Sequence, residues 1–315
     1  MKSASDIVIE YFGEPATVLS VSDADGKNLS VLIYRPIPEE DLHETRFITA
    51  GLSSILPSIT KPLEICVDIT GTLSPEAEKE LATIFVQALH ICFQDKSPTV
   101  DQLLSSFDLA PVFNTTAGLL IATNLDQLVY LDGERTTYVL QLCPLFDDEE
   151  KTLRQIPMAF RHLALVLSKI NWSDAARKTE NILEKALVNE WGKIIRWYEA
   201  HASNLLSNLQ LGQSSEKIDE LEKKLEFTLP IDLRISLSLH NGGLPLHNYT
   251  LLTTDEILTY HQNVKEEIKK HSFMLSDDKY YWPARAIPFA GDFKMNVIAV
   301  RQAIDEPQSD GDRRS

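Results

Sequence analysis

Cys66, Cys92 and His90 are the side chains whose types could share a metal ion, since thiolate and imidazole are the donors that zinc prefers. Their spacing argues otherwise. Cys66 falls in an alternating apolar run and His90 and Cys92 in an amphipathic one, where packing accounts for all three, and Cys143 completes an odd cysteine count without metal-type spacing. His240, ahead of Asn241-Gly242, could act as a base, but a histidine in the last turn of a helix is favoured by the dipole for structural reasons alone. The chain holds no Gly-x-Gly-x-x-Gly, no Gly-x-x-x-x-Gly-Lys-Ser/Thr, no Gly-x-Ser-x-Gly and no His-Glu-x-x-His. The expectation is a protein that binds rather than catalyses, with no catalytic residue, no metal and no cofactor.

Recognition chemistry is easier to place. Two acidic clusters, Glu39-Glu40-Asp41 and Asp147-Asp148-Glu149-Glu150, could stand in for phosphates before a basic cleft; as solvated loops they need no function. Tyr280, Tyr281 and Trp282 suit an interface anchor, because aromatics dominate hot spots, and would equally fill a core. The formal net charge is −16, and residues 1–150 hold 24 acidic against 8 basic side chains while residues 151–315 hold 22 of each. A field of that sign repels nucleic acid and anionic lipid and speeds encounter with basic partners, though it also serves solubility. The expected partner is a protein, neither nucleic acid nor membrane.

These residues must be held by elements that the periodicity defines. Leu63, Ile65, Val67 and Ile69 alternate with Glu64, Cys66 and Asp68, which predicts a half-buried strand. Ser74 and Pro75 then open a helix whose Leu81, Ile84, Phe85, Ala88, Leu89 and Cys92 form one stripe. Ala117 to Ala122 and Tyr138 to Leu145 read as strands flanking a turn at Asp132-Gly133. The acidic run from Asp147 opens a helix through Leu167, with Pro157 marking a bend or second start.

Asn171 to Ala186 is polar and free of strand signals, so the domain boundary is expected there. Beyond it, Val188, Trp191, Ile194, Ile195, Tyr198, Ala202, Leu205 and Leu206 predict a core-facing helix. Gly212-Gln213-Ser214-Ser215 interrupts it, a serine caps the next helix, with Ile218, Leu221 and Leu225 on one face, and Pro230 starts a third that stops at Asn241-Gly242-Gly243. The reading is α+β with two domains, 1–175 and 187–304, each a mixed or antiparallel sheet packed with helices, and a disordered tail at 305–315. No apolar run reaches the ~18 residues of a membrane span and Met1 to Asp6 lack a secretory h-region, so a cytoplasmic location is expected.

Glu190-Trp191, Ser215 to Glu222, Leu229 to Leu233, His240-Asn241-Gly242-Gly243, Leu252 to Ile257, Trp282 to Phe289 and Gly291-Asp292 followed by Asn296 occur in an order that resembles the SUKH superfamily of Smi/Knr-type cell-wall-assembly regulators. The resemblance spans Leu187 to Val300; the family continues past the Asn296 strand with more sheet, whereas this chain turns polar. The first half resembles the bacterial form of the Suppressor-of-fused domain, on Tyr34-Arg35-Pro36, Phe47 to Ser53 and Leu63-Glu64-Ile65. Both resemblances imply a non-catalytic immunity protein, an antitoxin of a polymorphic toxin system that binds a cognate toxin domain, often a nuclease with a basic surface. The animal and yeast relatives imply the alternative of a regulatory scaffold.

Overall fold

The computed structural model describes residues 4–22, 26–36, 43–56, 63–93, 97–105, 117–122, 138–271, 286–292 and 297–301, with Phe107, Leu109, Phe113 and Thr115. The chain divides into two compact units, Met1–Ile182 and Leu183–Ser315. A mixed sheet in the first unit and an antiparallel sheet in the second, each packed with helices, make both units α+β.

The first unit begins with α1 (Ala4–Phe12), followed by β1 (Thr17–Ser22), β2 (Asn28–Tyr34) and β3 (Glu44–Ala50). A four-residue helix α2 (Leu52–Ile55) leads to β4 (Leu63–Thr70), and α3 (Pro75–Phe93) to β5 (Leu103–Ser105), β6 (Ala117–Ala122) and β7 (Tyr138–Leu145). The helices α4 (Asp147–Arg154) and α5 (Met158–Ser168) complete the unit. The seven strands lie in the order β1-β2-β3-β4-β7-β6-β5; every pair is antiparallel except β4 with β7.

The strand centred on Val67 forms as its alternation predicts, but it is buried along both faces. One face, with Val31, Ile33, Phe47, Ile65 and Val67, packs on Leu81, Phe85 and Leu89 of α3. The other places Leu32, Ile48 and Cys66 beneath Val8 of α1. Polar residues at alternate positions therefore do not mark a wet face here, because Asp68 is paired with Arg46 and Glu64 is hydrogen-bonded inside.

Ser74 accepts from the Ala77 N–H at 3.3 Å and caps α3, and Pro157 splits the acidic helix into α4 and α5. The turn expected at Asp132-Gly133 lies outside the described residues. The two units divide after Ile182, within the stretch where the boundary is expected, and residues 171–180 pack on the first unit: the Thr70 N–H donates to Ser173 O at 2.8 Å.

The second unit contains α6 (Ile182–His201), a 3-10 turn (Ser203–Asn208), α7 (Ser215–Leu225), α8 (Ile231–Leu239), β8 (Pro245–Leu246), β9 (Tyr249–Leu251), α9 (Thr254–His271), β10 (Ala286–Gly291) and β11 (Val297–Arg301). Its strands form an antiparallel sheet in the order β11-β10-β9-β8. Ser214 caps α7, and Ile218, Leu221, Leu225, Leu237, Leu252, Ile257 and Ile287 make the core. The tail at 305–315 lies outside the described residues.

Candidate interaction surfaces

Asp147 to Glu150 form the first turn of α4, where carboxylates meet the positive end of the helix dipole. They do not act as one cluster. Asp148 is exposed and pairs with Lys151 at 3.0 Å, Asp147 is exposed, and Glu150 pairs with Arg154. Glu149 points inward and is 0% exposed. Its Oε1 and Oε2 accept from the two terminal nitrogens of Arg177 at 2.6 and 2.8 Å, and the backbone N–H groups of Glu180 and Phe146 add donors at 3.0 and 2.9 Å. Arg177 also donates to Pro144 O at 2.7 Å, and its guanidinium lies 4.7 Å from the Phe146 ring centroid and 4.8 Å from that of Trp172. A carboxylate so occupied cannot meet a partner, so Glu149 leaves the set of surface acids. Glu39, Glu40, Asp41, Tyr280, Tyr281 and Trp282 lie outside the described residues.

The motif residues of the first half have structural tasks. Arg35 reaches from the end of β2 to grip the buried Glu78 of α3 with two hydrogen bonds of 2.8 Å. Arg46 of β3 holds Asp68 of β4 at 2.7 and 2.8 Å, and Gln141 of β7 donates to the same carboxylate at 3.2 Å. Thr49 donates to Glu64 at 2.7 Å and accepts from the Ile65 N–H at 2.9 Å, while the N–H groups of Gly51 and Leu52 converge on the Glu64 carboxylate at 2.7 and 3.2 Å. Gly51 has φ 103°, a backbone that favours glycine. Complete burial pushes Glu64 up to about 7, against these donors, which favour its charged form.

The proposed metal donors do not converge. Cys66 faces α1, whereas Cys92 packs at the edge of the cluster around α3, and burial pushes their thiols up, that of Cys92 to about 11. Among the described residues no group of three metal-ligating side chains forms.

In the second unit His240 packs against Trp191 with the rings tilted by 54° and their centroids 4.6 Å apart, and burial lowers its pKa. Trp191 donates through its indole nitrogen to Ser236 at 3.1 Å, and Asn241 accepts from Thr254 N–H at 2.9 Å to cap α9. The glycines that follow permit close backbone approach: a Cβ on Gly242 would fall 2.6 Å from Leu252 O, and one on Gly243 1.9 Å from Asn208 O. Both have positive φ, and together they let the loop carrying Leu211, 90% exposed, lie against the turn. This stretch is built for shape, with His240 as a packed ring.

The stripe on α6 departs from the core-facing expectation. Trp191 is buried, but Val188 and Ile194 are exposed, and Trp197, not assigned to the stripe, is 55% exposed. On α5, Met158, Phe160, Leu163 and Val166 are each at least half exposed. Sequence periodicity marks such faces as apolar without saying whether a neighbour covers them.

With the geometry in view, residues 212–309 match the SMI1 / KNR4 family (SUKH-1). This region is similar to the glucan synthesis regulatory protein of Neurospora crassa, 36% identical over 86 residues, covering 25% of this chain and 16% of that protein. It is also similar to the cell wall biosynthesis/cell cycle regulator smi1 of Schizosaccharomyces pombe, 40% identical over 74 residues, covering 21% of this chain and 15% of that one. The chain thus spans about one sixth of the length of these relatives.

Solved Suppressor-of-fused structures align with part of the chain. A homologue from Neisseria gonorrhoeae aligns at 13% identity with TM-score 0.40 over 56% of this chain and 93% of its own, and the protein of the Sufu–Fu complex at 16% with TM-score 0.42 over 58% and 93%. Drosophila Suppressor of Fused aligns at 16% with TM-score 0.37 over 54% and 47%. The SUKH-1 match over residues 212–309 supports a protein-interaction or regulatory role. Among the described residues no helix is long and apolar enough to cross a membrane.

Proposed function

We propose that this chain is a non-catalytic cytoplasmic immunity protein that binds and neutralises a toxin domain with a basic surface. The observation that carries the reading is the SUKH-1 match over residues 212–309, since SUKH resemblance implies immunity to polymorphic toxins. The charge asymmetry supports it: an excess of 16 acidic side chains within residues 1–150 complements a basic cleft of the nuclease kind and accelerates encounter with it. Asp147 and Asp148, exposed at the start of α4, are the described members of the expected acidic surface that face solvent, while Glu149 serves the interior.

Affinity capture of the tagged protein from its host at low and high salt, with mass spectrometry of the retained proteins, tests the reading. A basic C-terminal toxin fragment held near one-to-one is the expected result. Failure to bind any toxin domain encoded beside its own gene would overturn it.

The names of the two fungal relatives favour a second reading, a regulatory scaffold. Recovery of kinases or transcription regulators in the same capture, with no toxin, decides for it.

A further inference from the structure

The outward face of α6 precedes the segment matched to SUKH-1, and the proposed toxin binding makes no use of it. At roughly 100° of turn per residue, Ile194, Trp197 and His201 share an arc of roughly 60°. All three are exposed. Trp197 is a built feature and no loose side chain: its ring stacks on His201 at 4.9 Å and 19°, and meets Tyr198 edge-on at 5.1 Å. His201 is fixed in turn by a 2.8 Å hydrogen bond between its Nδ1 and Trp197 O. A rigid, half-exposed tryptophan with an apolar neighbour gives large contact area at little entropic cost, the composition of a hot spot.

Charge decides what would cover it. Lys185, Lys193 and Arg196 occupy the adjoining arc of roughly 80°, and no acidic residue of the helix falls within it. Glu184 and Glu199 lie outside both arcs, and Glu190, which falls within the arc of the stripe itself, is paired with Lys193, so Lys185 and Arg196 carry the net positive charge of the face. The arrangement is an aromatic stripe with a cationic ridge along one flank. It is the electrostatic opposite of the first 150 residues, and a basic toxin surface would be a poor occupant.

We propose that this face of α6 docks an acidic, apolar-bearing helical segment of a protein partner, its apolar side chains on Ile194 and Trp197 and its carboxylates on the ridge. The inference is independent of the toxin reading, and one chain would then offer surfaces of opposite sign to two partners.

The test uses the full chain and two synthetic helical peptides with leucines at i, i+3, i+4 and i+7, one bearing glutamate and the other lysine at its remaining charged positions. Titration calorimetry should give binding of the glutamate peptide at least ten-fold tighter than of the lysine peptide, weakening with salt. Trp197→Ala and Arg196→Glu should each lower that affinity at least ten-fold while leaving the melting temperature unchanged, since both side chains are exposed. Equal binding of the two peptides, no binding of either, or wild-type affinity in both variants would overturn the proposal. So would a dimer in analytical ultracentrifugation that Trp197→Ala dissolves, which would give the face to a second copy.

Discussion

Arg177 closes on Glu149 across 28 residues of sequence, with both side chains nearly sealed from water and the guanidinium held between the Phe146 and Trp172 rings. The pair fastens the segment after α5 to the start of α4. A buried pair of this kind is costly to break from one side, because the remaining charge keeps its desolvation penalty without its partner.

Arg177→Met should therefore destabilise the first unit by about 3–5 kcal/mol. The double variant with Glu149→Leu should recover much of that loss. Chemical denaturation of the four members of the cycle gives the coupling directly, and additive losses would show that the two side chains act separately.

Surface steering should depend on the exposed acids of α4 alone. Asp147→Lys with Asp148→Lys should slow association with a captured basic toxin domain at low salt and change it little at high salt, by stopped-flow mixing across ionic strengths. Glu149→Lys should instead unfold the unit.

Glu64 makes stability depend on pH in the direction opposite to most carboxylates. Its folded value is about 7 and its unfolded value 4.5, so the folded state holds the extra proton between them. Its contribution to stability is greatest below about pH 4.5 and falls as pH rises through 7, by about 3 kcal/mol in all. Glu64→Gln should remove this slope from thermal melts taken between pH 4.5 and 8. An identical slope in wild type and variant would assign the dependence to other groups.

Gly242 and Gly243 should tolerate no side chain. Gly243→Ala drives a methyl to 1.9 Å from Asn208 O at φ +84°, and should abolish the cooperative melt of the second unit or lower it sharply. His240→Phe, which keeps a ring against Trp191, should cost far less. Differential scanning calorimetry separates the two outcomes.

Much of the scaffold was readable from local rules. The alternation around Val67, the Ser74-Pro75 start, the break at Pro157 and the Ser214 cap are decided by neighbours within a few residues, and each element formed where those neighbours placed it. The misreadings all concern distant partners. Glu149 is indistinguishable from Asp148 until Arg177 folds back on it, and Arg177 itself sits in a stretch whose polarity suggests a linker. Glu64 and Asp68 suggest a wet strand face because periodicity registers polarity, while the groups that satisfy them, Thr49 and Gly51 for Glu64 and Arg46 for Asp68, come from elsewhere. On α6 the apolar residues spread over more of the helix than its own unit covers, which leaves Trp197 outside.

The single parallel pairing of the seven-stranded sheet has a kinetic consequence. Strands β1 to β4 follow one another in sequence and in space, and so do β5 to β7, so each group can zip up from its own hairpins. Joining them requires residues as distant as Leu63 and Tyr138 to meet, a loop closure whose entropy must be met before the contacts along it return anything. The barrier to folding of the first unit should lie at that seam. Substitutions at Ile65 and Leu140, which face each other across it, should slow folding more than equally destabilising changes at Leu19 and Val31 in the outer hairpin.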